Sequence, residues 1–220
     1  MDLPSDNSYV ETKLLKVGTQ SLSGPFKILA DWISAEYRVS VLNVIYDRIQ
    51  RGRLPRLSVV LEREYDQKSF FGSDGNYDHA KQACIAQKFV EITEEYGGAS
   101  FDTQQLLVVF AAFETTARLE TIFALTDEEI SSLKEYLAAP SIWRINKYWE
   151  GPTVFFFTDA QAQAAEGSNL KSRCADFYAG LLRAHDEFGY LRDCPVVVTF
   201  DSKENFETKY KGIWFDYDRR

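Results

Sequence analysis

The alternation of apolar and polar residues is clearest between Val39 and Asp66, and it predicts the element around which the chain is organised. Two runs rich in β-branched residues lie on either side of a turn that contains Gly52 and Pro55. The first run is apolar on both faces, which is typical of a strand inside a sheet. The second run alternates from Leu57 onward. Period-two alternation bounded by Gly and Pro predicts a β-hairpin.

Helical spacing of apolar residues predicts the elements on either side of this hairpin. Residues 1–22 are polar and mixed, and they predict a loose N-terminal arm or a short edge element at Val10–Val17. Ser23 and Pro25 have the residue types of a helix start. A further helix is predicted over residues 77–96, where Gly97-Gly98 would end it.

Two helix starts carry the same capping signature. Asp102 is followed three residues later by Gln105, and Thr126 is followed three residues later by Glu129. Each pair predicts a capping box, and the first therefore predicts a helix over residues 103–123. A buried strand is the alternative there, because the first part of the segment is a short apolar run.

The second half of the chain predicts a further strand pair, a long helix and two single strands. In chain order these elements are Ile142–Trp149, Thr153–Thr158, Asn169–Phe188, Val196–Phe200 and Ile213–Tyr217. The order helix–strand–strand–helix occurs twice, and a duplicated unit is a hypothesis, because the residues of the two copies are scarcely similar.

Strand pairs joined by short turns predict the α+β class, with an antiparallel or mixed sheet and helices packed mainly on one side. No linker or low-complexity segment divides the chain after the N-terminal arm. We therefore expect a single α+β domain over residues 23–220.

Composition and charge narrow the function classes. The formal net charge is −8, from 25 basic and 33 acidic residues, which disfavours binding to nucleic acid. Three cysteines without a paired spacing indicate reduced thiols. No apolar run approaches a membrane helix and no signal-peptide pattern begins the chain. We expect a cytoplasmic protein with no membrane attachment and no cofactor.

An arginine cluster at the hairpin turn is the sharpest local anomaly. Arg48, Arg51, Arg53 and Arg56 lie within nine residues of an otherwise acidic chain. Guanidinium groups bind carboxylates and phosphates through paired hydrogen bonds. These four residues are the predicted binding site, although a solvated turn in which some of them pair with nearby acids explains them as well.

Carboxylates offer a second candidate site. Glu62, Glu64 and Asp66 would lie on one face of a strand, where they could bind Mg²⁺ or act in acid–base catalysis. Joined by Asp201 or His185, Glu62 and Glu64 would form a metal-dependent hydrolase site. The wet face of a half-buried sheet is the simpler interpretation.

The other polar groups favour structural roles. Asp74, Asn76 and Asp78 begin like a calcium loop, but the glycine and the glutamate that such a loop needs are missing, so a turn with a helix cap is favoured. His185 falls on an apolar helical stripe and is expected to be a hydrogen-bonded core histidine.

Aromatic residues make up 15% of the chain. They cluster at Trp143, Tyr148 and Trp149, and again at Tyr210, Trp214, Phe215 and Tyr217. Most are expected to fill the core, and rings that remain exposed would mark a protein interface. No motif for nucleotide binding or serine hydrolysis is present. We therefore expect a non-catalytic protein-binding module, such as an inhibitor or antidote of a toxic enzyme. The metal-dependent hydrolase and an anion or phosphate binder at the Arg48–Arg56 turn remain as alternatives.

Overall fold

The computed structural model describes residues 3–96, 101–148 and 150–219, so the predicted helix end at Gly97-Gly98 lies outside the described residues. The chain divides into two compact units, unit 1 (Met1–Ala117) and unit 2 (Arg118–Arg220). The first eight elements are α1 (Asn7–Lys16), α2 (Gly24–Tyr37), β1 (Val41–Ile49), β2 (Leu54–Leu61), α3 (Glu64–Lys68), α4 (His79–Glu95), β3 (Leu107–Ala112) and α5 (Phe113–Ala124). The next eight are α6 (Asp127–Leu137), β4 (Ile142–Asn146), β5 (Thr153–Phe156), α7 (Asp159–Glu166), α8 (Leu170–His185), β6 (Thr199–Ser202), α9 (Lys203–Lys209) and α10 (Trp214–Tyr217).

Each unit contains one mixed sheet of three strands, which confirms the predicted α+β class. In unit 1 the order is β1-β2-β3, with β1 antiparallel and β3 parallel to β2. In unit 2 the order is β4-β5-β6, with the same directions. Even the irregularity in the first pair recurs, between Val41 and Asn43 and between Ile142 and Arg144. The two units therefore share one topology, as the repeated order of predicted elements suggested.

In both units, a glutamate carboxylate caps the helix that follows the second strand. The second residue of the helix that follows the last strand is glutamate in both units. Glu114 accepts a hydrogen bond at 3.0 Å from the backbone N–H of Glu64, the first residue of α3. Glu204 accepts one at 3.1 Å from the N–H of Asp159, the first residue of α7. Each glutamate satisfies a helix N–H that has no partner inside its own helix.

The main helices pack against one face of each sheet. In unit 1 the inward residues of β2, such as Leu57 and Val59, pack with α2 and α4 through Ile33 and Phe89. In unit 2 the helices α6 and α8 pack against β4 and β5, with Tyr178 buried among them. Alternation along the strands thus separates a core face from an outer face.

Three predicted elements were wrong. The segment 103–123 forms β3 followed by α5 and not one helix, because Asp102 accepts a hydrogen bond from the N–H of Gln104 and Gln105 is left-handed, with φ of 55°. Residues 1–22, predicted to be a loose arm, contain α1, in which Tyr9 stacks on Phe113.

The predicted last strand, residues 213–217, is mainly the short helix α10. Trp214 and Tyr217, three residues apart as on one face of a helix, both pack on Phe155 of the sheet. None of the described helices combines the length and apolar character needed to cross a membrane. The predicted single domain over residues 23–220 stays a prediction.

Candidate functional site

The turn between β1 and β2 has an unusual backbone. Gln50, Arg51 and Gly52 all have positive φ, at 52°, 58° and 81°. The carbonyl of Ile49 accepts hydrogen bonds at 3.1 Å from the N–H groups of both Gly52 and Arg53. Left-handed backbone is uncommon for residues other than glycine, so Gln50 and Arg51 hold a costly conformation at an exposed tip.

The structure does not gather the four predicted arginines into one site. Arg48 forms an ion pair with Asp102 and donates a hydrogen bond to the carbonyl of Gly52. Arg56 binds Asp47 through two hydrogen bonds, from Nε at 2.9 Å and from Nη2 at 2.5 Å. The two others, Arg51 and Arg53, are exposed and contact no carboxylate within the described part of the chain. Their role in binding stays a prediction.

Strand β1 forms one edge of its sheet, so the interior position that its two apolar faces predicted is wrong. Arg48 lies opposite Pro55, which has no N–H to donate. The pairs on either side of Arg48 and Pro55 must therefore form the hydrogen bonds between β1 and β2. Because hydrogen-bonded and non-hydrogen-bonded pairs alternate in an antiparallel ladder, the backbone N–H and C=O groups of Val44, Tyr46 and Arg48 point away from β2. Among the described residues, none hydrogen-bonds to these outward groups. The edge thus offers a row of backbone donors and acceptors.

Two other edge strands, β3 and β4, have carbonyl groups that accept hydrogen bonds from side chains. On β3, the carbonyl of Phe110 accepts hydrogen bonds from Gln67 Nε2 at 2.8 Å and from Tyr77 Oη at 3.2 Å. The carbonyl of Val108 accepts one from Gln82. On β4, which is only five residues long, Lys134 Nζ bonds the carbonyl of Trp143 at 3.0 Å. Short strands and side-chain donors are the usual protection of sheet edges. Strand β1 has nine residues, and the described part of the chain places no side-chain donor on the outward groups along Val44–Arg48.

The outer face of the unit 1 sheet holds a trough, a cavity of about 480 Å³. Its floor comes from residues that alternate with the buried core positions: Ile45 on β1, Ser58 and Val60 on β2, Val109 and Ala111 on β3. Such a volume lies within the range of ligand pockets. Apolar floor residues alone would favour a hydrophobic ligand.

The walls of the trough are polar. Ser8 of α1 and the adjacent Thr115 and Thr116 of α5 line it. The ion pair between Asp47 and Arg56 closes one end. Hydroxyl groups and a balanced charge pair beside an apolar floor suit a ligand that has both a ring or chain and a polar tip.

A smaller cavity of about 300 Å³ occupies part of the equivalent place in unit 2, beside Tyr217. Positions are equivalent when they hold the same place in the strand pairing. By that rule Ser58 corresponds to Thr153 and Val109 to Thr199, and both of the unit 2 residues line the smaller cavity. Gly151 takes the place of Arg56, and a Cβ there would lie 2.2 Å from the carbonyl oxygen of Val197, so only glycine fits at its φ of 144°.

The predicted carboxylate site is not formed on a strand face. Strand β2 ends at Leu61, and Glu64 and Asp66 belong to the helix α3. Glu62 pairs with Lys16 at 2.6 Å, and Glu64 accepts a hydrogen bond from Thr115. No group of three His, Cys, Asp or Glu side chains within the described ranges could hold a metal ion.

The partners proposed for these carboxylates lie in unit 2 and have structural contacts there. Asp201 accepts hydrogen bonds from Asn205 and from the hydroxyl of Tyr217. His185 is half-buried, with Nε2 at 2.8 Å from Glu129 Oε1. The hydrolase that would combine Glu62 and Glu64 with Asp201 or His185 stays a prediction.

Glu129 and Cys174 of unit 2 have displaced pKa values. The backbone N–H of Thr126 and the side chain of His185 both bond Glu129 and lower the pKa of its carboxyl. Thr126 in turn caps α6 with Glu129, which confirms the predicted capping box. Burial raises the pKa of the Cys174 thiol to about 12, which makes it an inert core residue.

Asp78 has the cap role that the sequence favoured over calcium binding. Its side chain accepts hydrogen bonds from the N–H groups of Ala80 and Lys81 at the start of α4. Asp74 bonds Asn76, which forms the turn before it. Both interactions are local, so the sequence spacing alone was enough to predict them.

The trough and the free edge were not predicted from the sequence. Thr115 and Thr116 fell inside a predicted helix, where nothing marked them as lining a cavity. Ser8 fell in the predicted arm. The one available signal for the edge was Pro55, because proline must sit where no ladder N–H is needed.

Known proteins provide no further guide to this surface. The chain matches no protein-family model, no curated protein and no solved structure among those compared with it. The site is therefore interpreted from its own geometry and from the comparison between its two units.

Proposed function

We propose that this protein is a non-catalytic, cytoplasmic protein-binding module of the inhibitor or antidote kind. The observation that carries the proposal is the unpaired outer edge of β1 beside the exposed Arg51 and Arg53. An extended segment of a partner protein adds there as a fourth strand, and its acidic side chains meet the two arginines.

Strand addition uses the backbone groups of Val44, Tyr46 and Arg48. Each hydrogen bond to them contributes on the order of 1 kcal/mol of net binding free energy. Main-chain bonds supply affinity in this binding mode, and side-chain contacts supply selectivity. The absence of blocking side chains along this part of the edge supports the proposal.

Arg51 and Arg53 give the surface its charge preference. Because both are exposed, their attraction for carboxylates acts mainly on the rate of association and falls as salt screens it. This role includes the anion binding that the arginines suggest, with the acidic side chains of the partner as the anions. Arg48 and Arg56 contribute less, since Asp102 and Asp47 already neutralise them.

The test compares two substitutions of one residue. Arg48→Pro removes the outward N–H together with the side-chain contacts to Asp102 and Gly52, and Arg48→Ala removes only those side-chain contacts. The full chain, with p-benzoylphenylalanine replacing Gln50, would be irradiated in an extract of its own cells, and cross-linked partners would be quantified by mass spectrometry. Circular dichroism would check that both variants fold.

The proposal requires a cross-linked partner whose amount is the same with the Arg48→Ala chain as with the parent chain. Arg48→Pro should reduce that capture by about fivefold or more, the effect of one lost hydrogen bond. Equal capture by the two variants, or no cross-linked partner at all, would contradict the proposal. A double variant, Arg51→Gln with Arg53→Gln, provides a second measurement, since it should flatten the salt dependence of capture.

A further inference from the structure

The trough of unit 1 corresponds to a place that unit 2 fills with its own tyrosine. Tyr217 of α10 is buried against the outer face of the second sheet. Its ring lies 5.2 Å from that of Phe155 and 5.9 Å from that of Phe206. Its hydroxyl donates a hydrogen bond to Asp201 at 2.5 Å. Phe155, Phe206 and Asp201 thus define the position of the Tyr217 ring.

The equivalents of those three residues all line the trough. Phe155 corresponds to Val60 and Asp201 to Ala111 by their places in the strand pairing. Phe206 corresponds to Thr116, since each is the fourth residue of the helix after the last strand. Val60, Ala111 and Thr116 are all smaller, and all face the cavity. The space that Tyr217 occupies in unit 2 is therefore open in unit 1.

The course of the chain after the last strand differs between the two units. After β6, helix α9 is short and a turn brings α10 back over the sheet. After β3, helix α5 is twelve residues long and carries the chain on to Ala124 in unit 2. Helix α1 covers another part of the face, where Thr12 bonds Asn43 and Tyr9 stacks on Phe113.

We propose that the trough is a binding site for a phenol ring, supplied either by a tyrosine side chain or by a small free phenol. The ring packs on Val60, Val109 and Ala111. Its hydroxyl reaches the polar lining, where Ser58 and Asp47 offer an acceptor for its proton. This site uses the face of the hairpin and not its edge, so it does not depend on strand addition.

The experiment titrates two probes into the full-length protein labelled with ¹⁵N. p-Cresol represents a free phenol, and N-acetyltyrosinamide represents a tyrosine residue. Amide shifts at Val109, Ala111 and Thr116 should saturate with a dissociation constant on the order of 1 mM, which is typical of so small a ligand. Saturation by both probes identifies a tyrosine side chain as a fitting occupant, and saturation by p-cresol alone identifies a free phenol.

Matched variants place the binding in unit 1. Val109→Phe fills the trough and should weaken binding by about tenfold or more, whereas Thr199→Phe, at the equivalent position of unit 2, should change it by less than about twofold. Ala111→Asp supplies the carboxylate that holds Tyr217 in unit 2. It should strengthen N-acetyltyrosinamide binding relative to N-acetylphenylalaninamide by about tenfold.

No saturable shift at these amides with either probe would overturn the proposal. So would equal loss of binding in the Val109→Phe and Thr199→Phe variants. Arg48→Pro should leave the titration unchanged, since the outward N–H of residue 48 lies on the strand edge. Failure of strand addition and failure of phenol binding are therefore distinguished.

Discussion

The two units share one topology but use the outer faces of their sheets differently. In unit 2 that face carries a cluster of rings formed by Phe155, Phe206 and Tyr217, with Trp143 and Trp214 packed against it. In unit 1 the equivalent face carries Val60, Ala111 and Thr116 and remains partly open. The two units have the same backbone topology, so the size of the side chains decides whether the outer face forms a second core or a cavity.

The two faces also differ in charge: unit 1 has an ion pair at a place where unit 2 has uncharged residues. Asp47 and Arg56 pair at the end of the trough in unit 1. Tyr148 and Gly151 hold the equivalent positions in unit 2. A charge pair keeps its end of the trough wetted, whereas Gly151 lets the backbone of Val197 approach closely. The first arrangement suits a ligand and the second suits packing.

The largest expected difference concerns stability. Phe155→Ala removes a fully buried ring from the centre of the cluster and should lower the free energy of unfolding by about 3–5 kcal/mol. Val60→Ala, at the equivalent position, removes two methyl groups beside a cavity and should cost about 1.5 kcal/mol. Urea unfolding followed by fluorescence would measure both. Similar costs would show that the outer face of unit 1 is packed as tightly as that of unit 2.

An intermediate effect is expected at the repeated carboxylate cap. Glu114 is buried and Glu204 is exposed, although each bonds the first N–H of a helix. Glu114→Ala removes the buried carboxylate that accepts the part-buried N–H of Glu64, and it should cost about 1–3 kcal/mol. Glu204→Ala should cost about 0.5–1 kcal/mol, because water can replace the carboxylate. The comparison fails if thermal unfolding gives the larger loss for Glu204→Ala.

The smallest expected effect is the pH dependence that Glu129 contributes in unit 2. The Thr126 N–H and the His185 side chain lower the pKa of Glu129 in the folded state. Its contribution to stability is therefore present above the unfolded pKa and is lost as the pH falls through the folded pKa. In unit 1 the cap of α2, Ser23, makes no such side-chain hydrogen bond.

Glu129→Gln keeps an amide that can cap the helix but removes the titrating group. It should change stability at neutral pH by less than about 1 kcal/mol and should flatten the loss of stability below pH 5. Acid titrations followed by circular dichroism would compare the variant with the parent chain. If the variant loses stability at low pH as the parent chain does, Glu129 is not the cause of that loss.

Local signals in the sequence were enough to predict the hairpin, the capping box at Thr126 and the cap at Asp78. These features depend on residues close together in the chain. The predictions failed where distant contacts decided the outcome. The cap-like pair Asp102 and Gln105 forms a turn, because the apolar run after it pairs with β2.

The candidate site was less predictable than the fold. The arginine-bearing turn was recognised, but the pairing of Arg48 with Asp102 joins residues 54 positions apart and could not be seen in the sequence. The trough needs α1, the hairpin, β3 and α5 together, and no local pattern marks their meeting.

By itself, the sequence determined the α+β class, the hairpin and the repeated order of elements, because alternation and capping act over a few residues. Only the tertiary structure decided which strand edge lacks side-chain protection and which sheet face stays open. Both properties depend on what distant segments place beside the strands: Gln67, Tyr77 and Gln82 at β3, and α10 over the second sheet. Short-range patterns do not encode such placements, since they are fixed by packing between residues far apart in the chain.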